Sequence, residues 1–122
     1  MKIYLIHSSA YPNFEQELYE PFKKSELNKE HQFIFPHENK AETVNSKVII
    51  SNCDLVLAEV SFPSTGAGIE LGWADMFNRK IICLHKDNVI PSDAIRFVAQ
   101  HLVSYGDSES MIREISVAVK GL

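Results

Sequence analysis

The chain has 122 residues, which is enough for one domain with a single well-buried core. Its 12 basic and 16 acidic side chains leave a net charge of -4 with both signs scattered, so no basic stripe is available to grip a nucleic-acid backbone. No apolar run approaches the roughly 20 residues that a membrane-spanning helix needs.

Strand-like and helix-like segments alternate along the chain. Lys2 to His7 reads as a first strand. It is too short for a signal peptide's apolar core and no cleavage pattern follows it, which points to a cytoplasmic protein. Pro12 opens a helix from about Asn13, with Phe14, Leu18 and Phe22 at helical spacing. Pro21 inside it predicts a kink or a restart. His31 to Phe35 reads as strand two and Glu38 to Asn52 as a helix with Val44, Val48 and Ile49 on one face. Asp54 to Val60 is strand three and Gly66 to Phe77 the next helix. Lys80 to His85 is strand four, Pro91 to Gln100 a short helix or ordered loop, and Leu102 to Tyr105 strand five. A final amphipathic helix runs from Ser108 to Val119, with Ser108 as its N-cap. The pattern predicts an α/β chain: one domain over 1–122 with a flavodoxin-like or Rossmann-like three-layer fold around a five-stranded parallel sheet. Ligands of such sheets bind outside the carboxyl ends of the strands, at the topological switch point.

Cys53 and Cys83 fall at a helix–strand junction and in a buried strand, as packed thiols rather than a disulfide. His7, His31, His37, His85 and His101 show no metal-ligand spacing, and the chemistry read here calls for no metal and no cofactor.

The most informative stretch is Asp54 to Ala74, DLVLAEVSFPSTGAGIELGWA. Its apolar run suits a parallel strand covered on both faces. Ser61 to Gly68 then sets small residues and backbone N–H groups at a helix N-terminus, where an anion is favoured. Glu70 is expected in the first turn of that helix, pointing back over the strand. The run is neither a G-x-G-x-x-G fingerprint nor a P-loop, since no G-K-[ST] follows. A phosphate-friendly loop beside a carboxylate suggests a site for a nucleotide or sugar phosphate, and the switch point gathers the same segments together with His7 to Ala10.

The run AEVSFPSTGAGIELGWA resembles the signature of the nucleoside 2-deoxyribosyltransferase superfamily, and within it the branch of 2'-deoxynucleoside 5'-monophosphate N-glycosidases. KIYLIHSS is similar to the family's first strand and loop, and PSDAIRF to a segment after the fourth strand. The resemblance implies that Glu70 is the nucleophile on the anomeric carbon, splitting glycosidic cleavage into two displacements. It makes Tyr4 the residue that orients Glu70. It implies Ser64, where the nucleoside transferases carry an acid, as a contact for a 5'-phosphate, aided by backbone donors from Thr65 through Gly66 to Gly68 and by Ser8 and Ser9. It also implies a homodimer in which Ser92 to Arg96 reach the neighbour's site, with Ser92 as a phosphate contact and Arg96 as a phosphate clamp. His7, Phe62 and Trp73 are candidates to stack on the base.

One position departs from the resemblance. Eight residues before Asp54 the family has an aspartate that assists the leaving base, whereas this chain has Ser46. Serine is no general acid near neutral pH. Glu42, one helical turn earlier, could take over through its longer arm. Three readings therefore stand open: a nucleotide N-glycosidase, a deoxyribosyltransferase, and a nucleotide sensor that lost the complete catalytic set. A phosphoribohydrolase of the lysine-decarboxylase-like type would need a P-G-G-x-G-T run that the chain lacks. All of them take a small-molecule nucleotide or nucleoside, with no nucleic acid and no membrane.

Overall fold

The computed structural model describes residues 1–38 and 45–122. Five strands, β1 (Lys2–Ile6), β2 (Gln32–Ile34), β3 (Leu55–Glu59), β4 (Lys80–Lys86) and β5 (His101–Tyr105), form one sheet in the order β2-β1-β3-β4-β5. Every pairing is parallel, with Tyr4 opposite Val56 and Ala58 opposite Cys83. This is the doubly wound order whose direction reverses between β1 and β3. β3 is central and all five of its residues are buried.

Side-chain alternation divides the core in two. Ile3, Leu5, Leu55, Leu57, Ile82 and Leu84 point to one face. There they meet Leu18 and Tyr19 of a π-helical stretch, Phe22 of α1 (Glu20–Lys24), Leu27 of α2 (Leu27–Glu30), and Met111 and Ile115 of the last helix. Tyr4, Ile6, Val56, Ala58, Ile81 and Cys83 point to the other face. They pack on Ile50 of α3 (Ser46–Asn52) and on Ala67, Leu71 and Ala74 of α4 (Thr65–Met76). Cys53 and Cys83 are both buried and free.

Local chemistry explains the boundaries. The Asn13 helix proceeds as a π-helical stretch, Glu15–Tyr19, and restarts as α1 with Pro21 in its first positions, where a missing N–H costs nothing. Of the helix expected from Glu38 to Asn52, the stretch 39–44 lies outside the described residues; Pro36 to Glu38 form a turn, and α3 begins at Ser46 behind an Asn45 cap, whose Oδ1 accepts from the Val48 N–H. α4 ends in a Schellman motif. The Asn78 and Arg79 N–H groups return to the Asp75 and Ala74 carbonyls, and Asn78 takes the left-handed conformation at φ 57°. The last helix, α5 (Ser108–Lys120), is capped by Asp107 rather than Ser108. Asp107 Oδ1 accepts from the Ser110 N–H at 2.7 Å and Ser110 Oγ accepts from the Asp107 N–H at 3.1 Å. A 3₁₀ turn, Asp93–Phe97, lies between β4 and β5. Among the described residues no helix is long and apolar enough to cross a membrane.

Candidate active site

Beside the switch point between β1 and β3, on the face that carries α3 and α4, a cavity of about 370 Å³ opens, lined by Tyr4, Pro36, His37, Ser46, Gly66, Ile69, Glu70 and Trp73. Tyr4 comes from β1, Pro36 and His37 from the turn after β2, Ser46 from the start of α3, and the others from α4. Tyr4 faces this side because the strand alternates, with Ile3 and Leu5 taking the other face.

The Tyr4 hydroxyl donates to Glu70 Oε2 at 2.8 Å. Burial holds the Tyr4 phenol well above its ordinary pKa; the charge of Glu70 and the bond to it add to the rise, and the Ser46 hydroxyl draws the other way. Tyr4 therefore stays a donor across the physiological range and leaves Glu70 Oε1 free of that bond. Glu70 is the sixth residue of α4, in its second turn, not the first turn that the sequence suggested. The helix dipole fades within one turn, so it is Tyr4 that fixes this carboxylate.

Ser64 is the N-cap of α4. Its Oγ accepts from the Ala67 N–H at 3.3 Å, and its carbonyl accepts from the Gly68 N–H at 3.1 Å. Two of the four backbone donors expected to welcome a phosphate are thus engaged, and those of Thr65 and Gly66 remain at the helix start. Ser64, Gly68 and Ser92 do not line the Glu70 cavity. They meet on the other flank of α4, in a larger, mainly apolar cavity of about 500 Å³ that includes Phe62, Leu71, Ile90 and Ile95. Ser92 caps the 3₁₀ turn, and Arg96 pairs with Asp93 at 2.9 Å on the surface.

His7, Ser8 and Ser9 line neither cavity, though His7 packs behind His37 in the wall of the first. His7 is 3% exposed. Its Nδ1 sits 2.8 Å from the Ser8 carbonyl, which only accepts, so Nδ1 carries the proton and Nε2 accepts from the Tyr19 hydroxyl at 2.7 Å. Tyr19 Oη in turn accepts from the His37 backbone N–H at 3.1 Å. Burial pushes His7 down to about 4, helped by the neighbouring His37 and opposed by the bond to Ser8. Ser8 Oγ accepts from the Ala10 N–H, and Ser9 is exposed. Glu42 lies outside the described residues.

Of the base-stacking candidates, only Trp73 lines the Glu70 cavity, with the Lys47 ammonium 5.8 Å from its ring centre. Phe62 packs on Tyr11 with ring centres 4.7 Å apart. His37 lines the cavity and was not singled out in the sequence, where its place after a strand gave no motif or spacing to mark it.

Glu59 ends β3 and is 1% exposed. One oxygen accepts from the Ser61 N–H at 2.6 Å; the other accepts from the Ser61 hydroxyl at 2.9 Å and from the Tyr105 hydroxyl. Ser61 Oγ accepts from the Lys86 N–H at 2.8 Å, which ties the loop after β3 to the end of β4. Among the described residues no group of three His, Cys, Asp or Glu side chains is placed to hold a metal.

No protein-family model matches the chain. A human 5-hydroxymethyl-dUMP N-hydrolase is 49% identical over 37 residues, a stretch covering 30% of this chain and 21% of that relative. In three dimensions the chain is similar to the Clostridium botulinum CMP N-glycosidase BcmB. The TM-score is 0.70 at 21% identity, over 95% of this chain and 99% of that one. At that identity the likeness establishes the Rossmann-like α/β fold. The resemblance read from the sequence is thus met by a nucleotide N-hydrolase in a short stretch of sequence and by a nucleotide N-glycosidase in fold.

Proposed function

We propose that this chain cleaves the N-glycosidic bond of 2'-deoxynucleoside 5'-monophosphates, with Glu70 as nucleophile and release of the free base. The observation that carries the reading is the Tyr4–Glu70 hydrogen bond of 2.8 Å inside the cavity at the switch point. A carboxylate oriented by a phenol on one oxygen keeps the other for attack on the anomeric carbon, and the glycosyl ester is then opened by water. The two named N-glycosidic enzymes support the reaction class. The Thr65 and Gly66 N–H groups at the start of α4, with Gly66 in the wall of the Glu70 cavity and an uncharged serine as the cap, support a 5'-phosphate there, since a carboxylate at the cap would repel it.

We propose a homodimer as the working unit, with the Ser92 to Arg96 segment near the partner's site. Exposed Ile69, Met76, Ile90 and Phe97 around α4 and the 3₁₀ turn support it. Two free buried thiols suit a reducing cytoplasm.

A second reading, a nucleotide sensor, is favoured by one observation: Ser46 lines the cavity where a general acid would be useful. Transfer of the sugar to a second base is the third reading. A panel of deoxy- and ribonucleoside monophosphates, with and without an acceptor base, separates the three by chromatography of the released base. We expect release from deoxynucleotides without an acceptor and none from Glu70→Gln. Binding with no release supports the sensor, and an unchanged rate in a well-folded Glu70→Gln ends the covalent scheme.

A further inference from the structure

The base of a nucleotide leaves poorly as an anion, so N-glycosidic cleavage calls for a proton on the departing base. Of the described residues lining the Glu70 cavity, few can carry one. The Ser46 alcohol holds its proton far too tightly. The Tyr4 phenol is driven further from release by burial and by Glu70, to which it is already bonded. Glu70 is needed as the attacking carboxylate. The remaining proton carrier is the imidazole of His37, whose ring nitrogens can both hold a proton.

The fold treats His37 as a fixed part of the wall. Its backbone N–H is held by the Tyr19 hydroxyl, which is held by His7 Nε2, which is oriented through Nδ1–H to the Ser8 carbonyl. Its ring packs on those of His7 and Phe14, with centres 4.8 and 5.9 Å away. A directional string of three hydrogen bonds, two of them buried, thus anchors the main chain behind a partly buried imidazole. Such an arrangement suits a side chain that must meet a ligand in one place.

We propose that His37 is the proton donor to the leaving base, a role that rests on the N-glycosidase reading above. In the first step a Glu70 oxygen bonds to C1' and the C1'–N bond breaks. Its electron pair passes to the base nitrogen, and the imidazolium proton goes to the base. In the second step a water oxygen bonds to C1' and the ester bond to Glu70 breaks, its pair returning to the carboxylate. The proton lost by water goes to the imidazole and restores the imidazolium. The sum is nucleotide plus water giving free base and sugar phosphate.

The test compares His37→Gln and Glu42→Gln with the wild type on two matched pairs, dGMP with 7-methyl-dGMP and dUMP with 5-fluoro-dUMP. It uses the pair that the wild type cleaves, and melting temperatures are taken throughout. The 7-methylated purine departs without a proton and the fluorinated uracil is the better anion. We expect His37→Gln to lose about 10²-fold or more on the ordinary member and far less on the activated one. Retained turnover of the activated substrate shows that the variant is folded. Equal losses on both members, or a selective loss in Glu42→Gln instead, overturns the role of His37. No release of any base by the wild type points instead to failure of the N-glycosidase reading itself.

Discussion

Tyr4 and Glu70 stand 66 residues apart in the chain and 2.8 Å apart in the fold. The contact exists because β1 and β3 are paired, with Tyr4 opposite Val56, and because α4 returns over the same face that Tyr4 occupies. Tyr4→Phe keeps the ring and removes the donor. We expect kcat to fall by about one to two orders of magnitude with KM nearly unchanged, since orientation of the nucleophile counts most at the transition state. Steady-state kinetics on the best nucleotide of the panel would show it, and an unchanged kcat would leave Glu70 without need of its partner.

Ser64→Asp is informative because aspartate caps a helix as well as serine does, so α4 should keep its start and the protein its melting temperature. The new charge should weaken a nucleoside monophosphate far more than the matching nucleoside. Calorimetric titration of both ligands reads the difference. Equal weakening would place the phosphate elsewhere.

Ser46 and His37 share a cavity wall, which makes their roles separable by combination. Ser46→Asp alone should change turnover little if the proton already comes from the imidazole. In a His37→Gln background it should recover part of the lost rate. A large gain from Ser46→Asp in the otherwise wild-type chain would mean that the natural protein lacks a working donor.

His7 makes stability depend on pH. Its folded pKa lies near 4 against about 6.5 in an unfolded chain, so the unfolded state binds the proton first as pH falls. The stability that this neutral imidazole contributes is complete above about pH 6.5 and is lost towards pH 4, on the order of 3 kcal/mol in all. Urea melts across that window should show the decline, and His7→Gln should flatten it. A slope unaltered by the substitution would assign the acid sensitivity to other groups.

Much of the architecture was legible. Apolar runs such as Asp54 to Val60 and the spacing of Phe14, Leu18 and Phe22 gave the alternation of strand and helix, and alternation implies a parallel sheet. The helix after β2 was less so. Its apolar pattern extends back from α3 with no sign of where it stops, and the start at Ser46 depends on an Asn45 cap that competes with many similar residues. The pairing of Glu70 with Tyr4 could be anticipated because one belongs to a motif and the other lies on the first strand. The burial of His7 against Phe14, Tyr19 and His37 is a tertiary fact with no trace in the sequence. His37 and Glu59 carried no spacing signal, since their neighbours come from distant segments. The division of Ser64, Gly68 and Ser92 from Glu70 by the body of α4 likewise has no trace in linear order.

Trp73 is the single tryptophan of the chain, and it lines the Glu70 cavity beneath the Lys47 ammonium. The protein thereby carries its own optical reporter. Indole emission comes from this one wall, so quenching or a spectral shift on adding a nucleotide follows occupancy of the Glu70 cavity without any label. A ligand confined to the opposite flank of α4 would leave that emission alone.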